Sequence, residues 1–441
     1  MTVRLIHRLS ALAVASLLVA GATSRAAEPR SRDATEQEAA AVEDGFEFPT
    51  TDWPWWRGPQ RNGHAAADQS VPLEWSETKN VAWKAEIPGR GHGSPTVVGE
   101  RIFLATSDET SGSQSVLCFD RGSGQRLWQT EVHASGGMQK NVKSSNASST
   151  VACDGERIFI NFPNSQAVYT TALSLDGKVL WQTKVTDYQI HQGYGSSPAL
   201  YQSLVLVSAD TKAGGAIAAL DRQSGEVVWK RERAEKPNYP SPIILHTAGR
   251  DQLLMTGTDL ATSLDPRTGK TLWEIDGATT ECVTSTVTIG ELMFTSGGYP
   301  ESHMSAIRTD GSGETLWRTN TRVYVPSLLA VDGVLFGVMD AGVAACWDPQ
   351  TGEELWKERL GGTFTASPVL VGDKIFATNE AGETFIFRAD PQKFELIGKN
   401  QLGNNEVFAT PTFCGGRIYM RVSEREGDQN RQRLYCLAEQ P

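Results

Sequence analysis

Short runs of alternating or continuous apolar residues, broken by glycine-containing turns, fill the chain from about residue 81 onward. Thr96-Val97-Val98 and then Arg101-Ile102-Phe103-Leu104 are typical, and their length and β-branched content predict strands rather than helices. The runs fall into a repeat. One phrase recurs: a small residue, any residue, Asp, two residues, Ser or Thr, Gly, three residues, Trp. Its fullest copy is Ala219 to Trp229, and others run Cys118 to Trp128, Ser263 to Trp273 and Cys346 to Trp356. A looser copy ends at Trp317, a shortened one at Trp181, and a degenerate one at Asp390 has lost both Gly and Trp.

A second signal opens each unit: Ser94-Pro95, Ser149-Thr150, Ser197-Pro198, Ser241-Pro242, Ser285-Thr286, Ser327-Leu328, Ser367-Pro368 and Thr410-Pro411. A pitch near 44 residues, with four short strands per unit, is that of a propeller blade. Eight markers predict an all-β, eight-bladed β-propeller of four-stranded antiparallel blades over 81–441. Only three strands follow Thr410, so Val81 to Glu86 is expected to supply the fourth and close the ring. The phrase has a physical logic. Asp accepts from backbone N–H groups two residues on, Gly supplies a positive φ, and the Trp reaches the neighbouring blade. Trp128, Trp181, Trp229, Trp273, Trp317 and Trp356 are therefore expected to dock blade on blade.

The segments before residue 81 differ in kind. Arg4 and Arg8 precede an apolar run from Leu9 to Ala20 and a small-x-small site at Ser24 to Ala26, which predicts an export signal over 1–26. Ala22 stands where a lipoprotein would carry its acylated Cys, so lipid anchoring is not expected. Residues 27–48 read as a flexible acidic linker, and 49–80 as an arm that carries Trp53, Trp55 and Trp56. No later stretch is apolar and long enough to span a bilayer.

Composition narrows the function. The 441 residues carry 41 Lys and Arg against 52 Asp and Glu, a net charge of −11, which opposes nucleic-acid binding. Of the six cysteines, Cys118, Cys346 and Cys436 fall on the repeat's small-residue slot and Cys153 and Cys414 on inner strands of different blades, so they predict no disulfide framework; only Cys282, in a loop before Ser285, is a candidate reactive thiol. Generic catalytic motifs and metal-ligand histidine spacings are missing.

The Asp-x-x-Ser/Thr-Gly-x-x-x-Trp phrase resembles the pyrroloquinoline quinone (PQQ)-type β-propeller repeat. The resemblance implies one of two branches. One holds the quinoprotein alcohol dehydrogenases, with PQQ and Ca²⁺. The other is the non-catalytic propeller of the outer-membrane protein assembly machine and its secreted relatives, whose opening segment Trp53 to Pro59 resembles. No two cysteines are adjacent, so the vicinal disulfide usual in the enzymes is missing; there is no Cys-x-x-Cys-His haem site and no room for their long insertions.

Two or three residues before the markers stand His92, Asn146, Tyr194, Tyr239, Cys282, Tyr324, Phe364 and Phe408. Five of these eight are Phe or Tyr, where the chain's 8% aromatic content predicts about one in the sixteen positions scanned. With Arg90, Lys143, His191 and Asn405 nearby, they form a candidate binding mouth for the central channel; the alternative is rings that only pack between blades. The expectation is thus an exported, monomeric binding or assembly scaffold for a cell-envelope protein or small ligand, with no cofactor and no metal. The alternatives are a PQQ-dependent oxidoreductase with calcium, and a carbohydrate or cell-wall binder.

Overall fold

The computed structural model describes residues 42–138, 141–403, 405–426 and 429–440. The expected export signal and linker residues 27–41 lie outside the described residues. The propeller has 32 strands in eight four-stranded antiparallel sheets arranged in a ring, with no helix among the described residues. Blade 1 spans 96–133, blade 2 152–187, blade 3 199–233, blade 4 243–276, blade 5 287–319, blade 6 329–359 and blade 7 369–401. Blade 8 joins Thr412–Cys414, Arg417–Glu426 and Gln429–Leu437 to Val81–Ile87, which pairs antiparallel with the last of these. The shared blade removes the seam where a ring of sheets would otherwise end in two unpaired faces.

The repeated phrase does what its chemistry predicts. In blade 3 the Asp221 carboxylate accepts from the N–H groups of Gln223 (2.9 Å) and Ser224 (2.8 Å), and Gly225 turns the chain at φ +76°. That glycine is also a seat. A Cβ on Gly225 would stand 2.6 Å from the indole of Trp181 in blade 2, and the same holds for Gly177 under Trp128, Gly269 under Trp229 and Gly352 under Trp317. Each indole N–H then donates to a turn carbonyl of the next blade: Trp128 to Leu175, Trp181 to Arg222, Trp229 to Pro266, Trp273 to Thr309, Trp317 to Pro349 and Trp356 to Asp390. Trp83 of the closing strand is a seventh staple, with its N–H on Arg121 O and its ring over Gly124. Trp273 departs in part, since its indole also donates to Gln252 within its own blade, at 2.8 Å.

Blade 7 has no such Trp, and Gly398 stands in its outer strand. The arm repairs the gap. Trp75 is buried there, its backbone N–H donates to Asn400 Oδ1, and Asn400 Nδ2 donates back to Leu73 O. The arm does more than this. It pairs with the inner strand of blade 1 (Trp53 with Val97) and accepts from Cys153 of blade 2 through Pro54 O. Arg61 donates to Leu200 O of blade 3, Arg57 to Leu328 O before blade 6, and Gln69 to Phe413 O of blade 8. Ala65 and Gly63 bond to Leu370 of blade 7, while Trp56 packs with Ile243 and Leu245 of blade 4 and bonds Ser285 before blade 5. One segment thus ties together all eight blades.

The described part of the expected linker is also docked. Asp44 is buried and ion-paired with Arg61 at 2.6 Å, and Phe46 and Phe48 pack edge-on against Trp55. The reading of 27–48 as a flexible tether is therefore corrected for 42–48: two aromatic rings and a salt bridge hold this stretch to the arm.

Candidate functional site

Each inner strand starts from a hydroxyl residue, and these hydroxyls form a chain around the channel. Ser94 N–H donates to Thr150 Oγ1, Thr150 to Ser197, Ser197 to Ser241, Ser285 to Ser327, Ser327 to Ser367 and Ser367 to Thr410, all at 2.9–3.0 Å. The position in blade 2 is Thr150, one residue beyond the marker's Ser149. Each hydroxyl that accepts in this way keeps a proton to donate. Above the ring opens a cavity of about 670 Å³, and Trp56 of the arm reaches it from below, donating to Ser285 Oγ at 2.8 Å.

Of the residues expected at the mouth, His92, Tyr194, Tyr239, Tyr324, Phe364, Phe408, His191 and Lys143 line this cavity. They do not contribute alike. Tyr194 is buried, with its hydroxyl on Ser208 O, and Phe364 is buried against Phe385, so both act mainly as packing. His92 stacks on Phe408 at 4.7 Å. Tyr239 and Tyr324 present their phenols, and burial pushes the Tyr324 hydroxyl up to about 12.

Four expected residues, Arg90, Asn146, Asn405 and Cys282, are not among those lining the cavity. Arg90 turns to Glu109 and Val142 O. Asn146 is buried, its carbonyl accepting from Gln114, and Asn405 is buried as well. Cys282 is corrected too: it is fully buried, and burial pushes its thiol up to about 12, so it is not a reactive thiol. All six cysteines are free and buried.

The residues that sequence reasoning missed are acidic. Glu281, Asp340 and Glu380 all line the cavity, as does Tyr299 at its rim, 55% exposed. Glu281 lies 3.5 Å from His191 Nδ1, with the Tyr239 and Tyr324 hydroxyls beside it; burial raises its carboxyl above the ordinary value in spite of them. Asp340 accepts from the N–H groups of Tyr324 and Val325. Glu380 is clamped by Lys143 at 2.8 Å and by Thr365 Oγ1. Asp340 and Glu380 sit at the same place in successive blades, in the turns Asp340-Ala341-Gly342 and Glu380-Ala381-Gly382, a repeat that the sequence did offer.

This lining does not suit PQQ. The quinone is a tricarboxylate, and here three carboxylates face the cavity against one lysine and two histidines, with the lysine already spent on Glu380. Among the described residues no group of His, Cys, Asp or Glu is arranged to hold a metal ion.

The ring of eight blades, the staple phrase and the wide cavity at the channel mouth define a quinoprotein-like propeller. Within that class, the model of the outer membrane protein assembly factor BamB matches residues 66–192, 112–297 and 300–390, and the chain belongs to that family. BamB of Burkholderia pseudomallei is 25% identical over 379 residues, covering 80% of this chain and 90% of the relative. A polyvinylalcohol dehydrogenase of a Sphingopyxis species is 28% identical over 211 residues, covering 45% of this chain and 30% of that enzyme. The crystal structure of BamB from Moraxella catarrhalis superposes with a TM-score of 0.57 at 16% identity, covering 81% of this chain and 97% of that one; this likeness speaks for the fold alone. No helix among the described residues is long and apolar enough to cross a membrane.

Proposed function

We propose that this chain is a binding scaffold of outer-membrane protein assembly, which receives a segment of a partner protein in the mouth of its channel and performs no turnover. One observation carries the reading: a cavity floored by a hydroxyl ring and Trp56 and walled by Tyr239, Tyr324 and Phe408, with acid groups that oppose the quinone. Aromatic walls with few polar groups suit recognition, because rings offer contact area with few rotamers to freeze. The BamB relatives support the setting, a periplasmic protein that works beside other assembly components; that this chain is exported and acts as a monomer without a lipid anchor is part of the proposal.

A photo-crosslinking residue at Tyr299, on the rim, tests this. The expected adduct is with another component of outer-membrane assembly, and it should be absent when the same probe replaces Leu355 on the perimeter. Adducts of equal yield from both positions, or none from Tyr299, would refute the reading. The similarity to the polyvinylalcohol dehydrogenase keeps a second reading, a PQQ-dependent oxidoreductase. Reconstitution with PQQ and Ca²⁺ and an alcohol panel with a dye acceptor decides it: saturable turnover lost on Tyr324→Ala would replace the scaffold with an enzyme.

A further inference from the structure

We infer that the cavity receives a cationic group, the ammonium or guanidinium of a lysine or arginine side chain presented by the partner polypeptide, against the wall formed by Glu281, Asp340, Tyr239 and Tyr324. The inference rests on the reading of the mouth as a binding site and adds what the site selects.

The charge of the lining sets the sign. Lys143 is bound to both oxygens of Glu380 at 2.8 and 3.1 Å, which leaves that pair close to neutral. Glu281 and Asp340 then face the cavity, with the His191 imidazole and the more distant Lys212 ammonium as the cationic neighbours of Glu281. The Glu281 side chain is 6% exposed, so its charge is poorly solvated, and the raised carboxyl shows that His191, Lys212 and the two phenols together do not fully offset the burial. A cation delivered to this wall would relieve that cost, whereas an anion would add to it.

The rings point the same way. A cation over a tyrosine face is attracted by the ring quadrupole, and this wall already shows the interaction: the Arg322 guanidinium lies 4.9 Å from the centre of the Tyr324 ring. Tyr239 and Tyr299 offer two more ring systems to the same space. Long-range steering agrees, because the whole chain carries a net charge of −11.

The probes are four short neutral-backbone peptides that differ at one central residue: arginine, its uncharged isostere citrulline, norleucine and glutamate. Binding is read from the fluorescence of the wild-type protein, with Trp56 at the cavity floor, and by calorimetry. The arginine peptide is expected to bind at least 10-fold more tightly than citrulline, with the glutamate peptide weakest, and the difference should shrink as salt rises. Glu281→Gln should erase most of that 10-fold difference. Butylguanidine, tested alone, separates the sources: affinity equal to the peptide's would assign the site to a free small cation, and much weaker affinity supports a partner's side chain. Equal binding of arginine and citrulline, tighter binding of glutamate, or no binding of any peptide would overturn the inference. A Tyr299 cross-link to an assembly component together with a flat charge series would sink the cation alone and leave the scaffold reading standing.

Discussion

Gly269 and Trp229 offer a direct test of how one blade is locked to the next. Gly269 turns the chain at φ +68°, and a Cβ there would stand 2.5 Å from Cε3 of the Trp229 indole, which also donates to Pro266 O at 3.1 Å. Gly269→Ala should therefore cost about 1–2 kcal/mol for the left-handed backbone and about 1–3 kcal/mol for the overpacked contact. Trp229 is only part-buried, so Trp229→Ala should fall at or below the low end of the roughly 3–5 kcal/mol seen for core tryptophans, about 2–3 kcal/mol. The double variant distinguishes a seat from two independent lesions. Without the indole the new methyl meets nothing, so only the backbone penalty of Gly269→Ala should remain. The two costs should then fall short of adding by about 1–3 kcal/mol. Urea unfolding followed by far-ultraviolet circular dichroism measures all four proteins with one probe that does not depend on the lost indole. Costs that add to within about 0.5 kcal/mol, the behaviour of unconnected sites, would refute the seat.

Two further outcomes follow from the same contacts. Trp75→Ala, outside every repeat copy, should destabilise by about 3–5 kcal/mol, the scale of a buried Trp, because it fills the staple that blade 7 lacks; a urea-midpoint change worth less than about 1 kcal/mol would show that the arm merely lies on the ring. His303 is fully buried beside Thr295, and burial first, then Arg318, lowers it to about 4. The unfolded chain takes up a proton below about pH 6.5 that the folded one refuses, so stability is complete above that pH and falls as pH drops towards 4. The contribution at pH 5 is about 2 kcal/mol. His303→Asn should flatten that part of the acid slope in urea melts at pH 7.5 and 5, and an unchanged slope would exclude His303 as its source.

The ring was legible because one blade's requirements are local. An Asp that caps a turn, a Gly with positive φ and a Trp four residues later recur at a fixed pitch, and each can be read without knowing what it touches. What escaped depends on distant partners. Trp83 lies outside any copy of the phrase, and becomes a staple only because the first strand enters the last blade. Trp75 gains its role from a loss at Gly398, more than three hundred residues away along the chain. Asp44 and Phe46 sit in an acidic, Ala-rich stretch whose composition reads as a tether, and only the place of Arg61 and Trp55 on the arm gives them partners.

The site divides along a similar line, and the division explains its character. Residues just before the markers enter the channel because the inner strand begins there, so the excess of aromatics at those positions was a sound guide to Tyr239, Tyr324 and Phe408. That rule reads one set of loops. The turns between second and third strands enter from the same side, and they bring Asp340 and Glu380, whose acid-Ala-Gly pattern is too short to stand out without the blade register. Asn146 and Cys282 satisfy the positional rule and still turn away, because the chain there bends to feed buried amides: Cys282 N–H donates to Asn238 Oδ1, and Asn146 O accepts from Gln114. The aromatic loops thus give the cavity its walls, and the acidic turns give it its sign. A sequence scan restricted to the first set finds a place for a ligand without learning its charge, and it is the second set that turns a general binding mouth into one selective for cations.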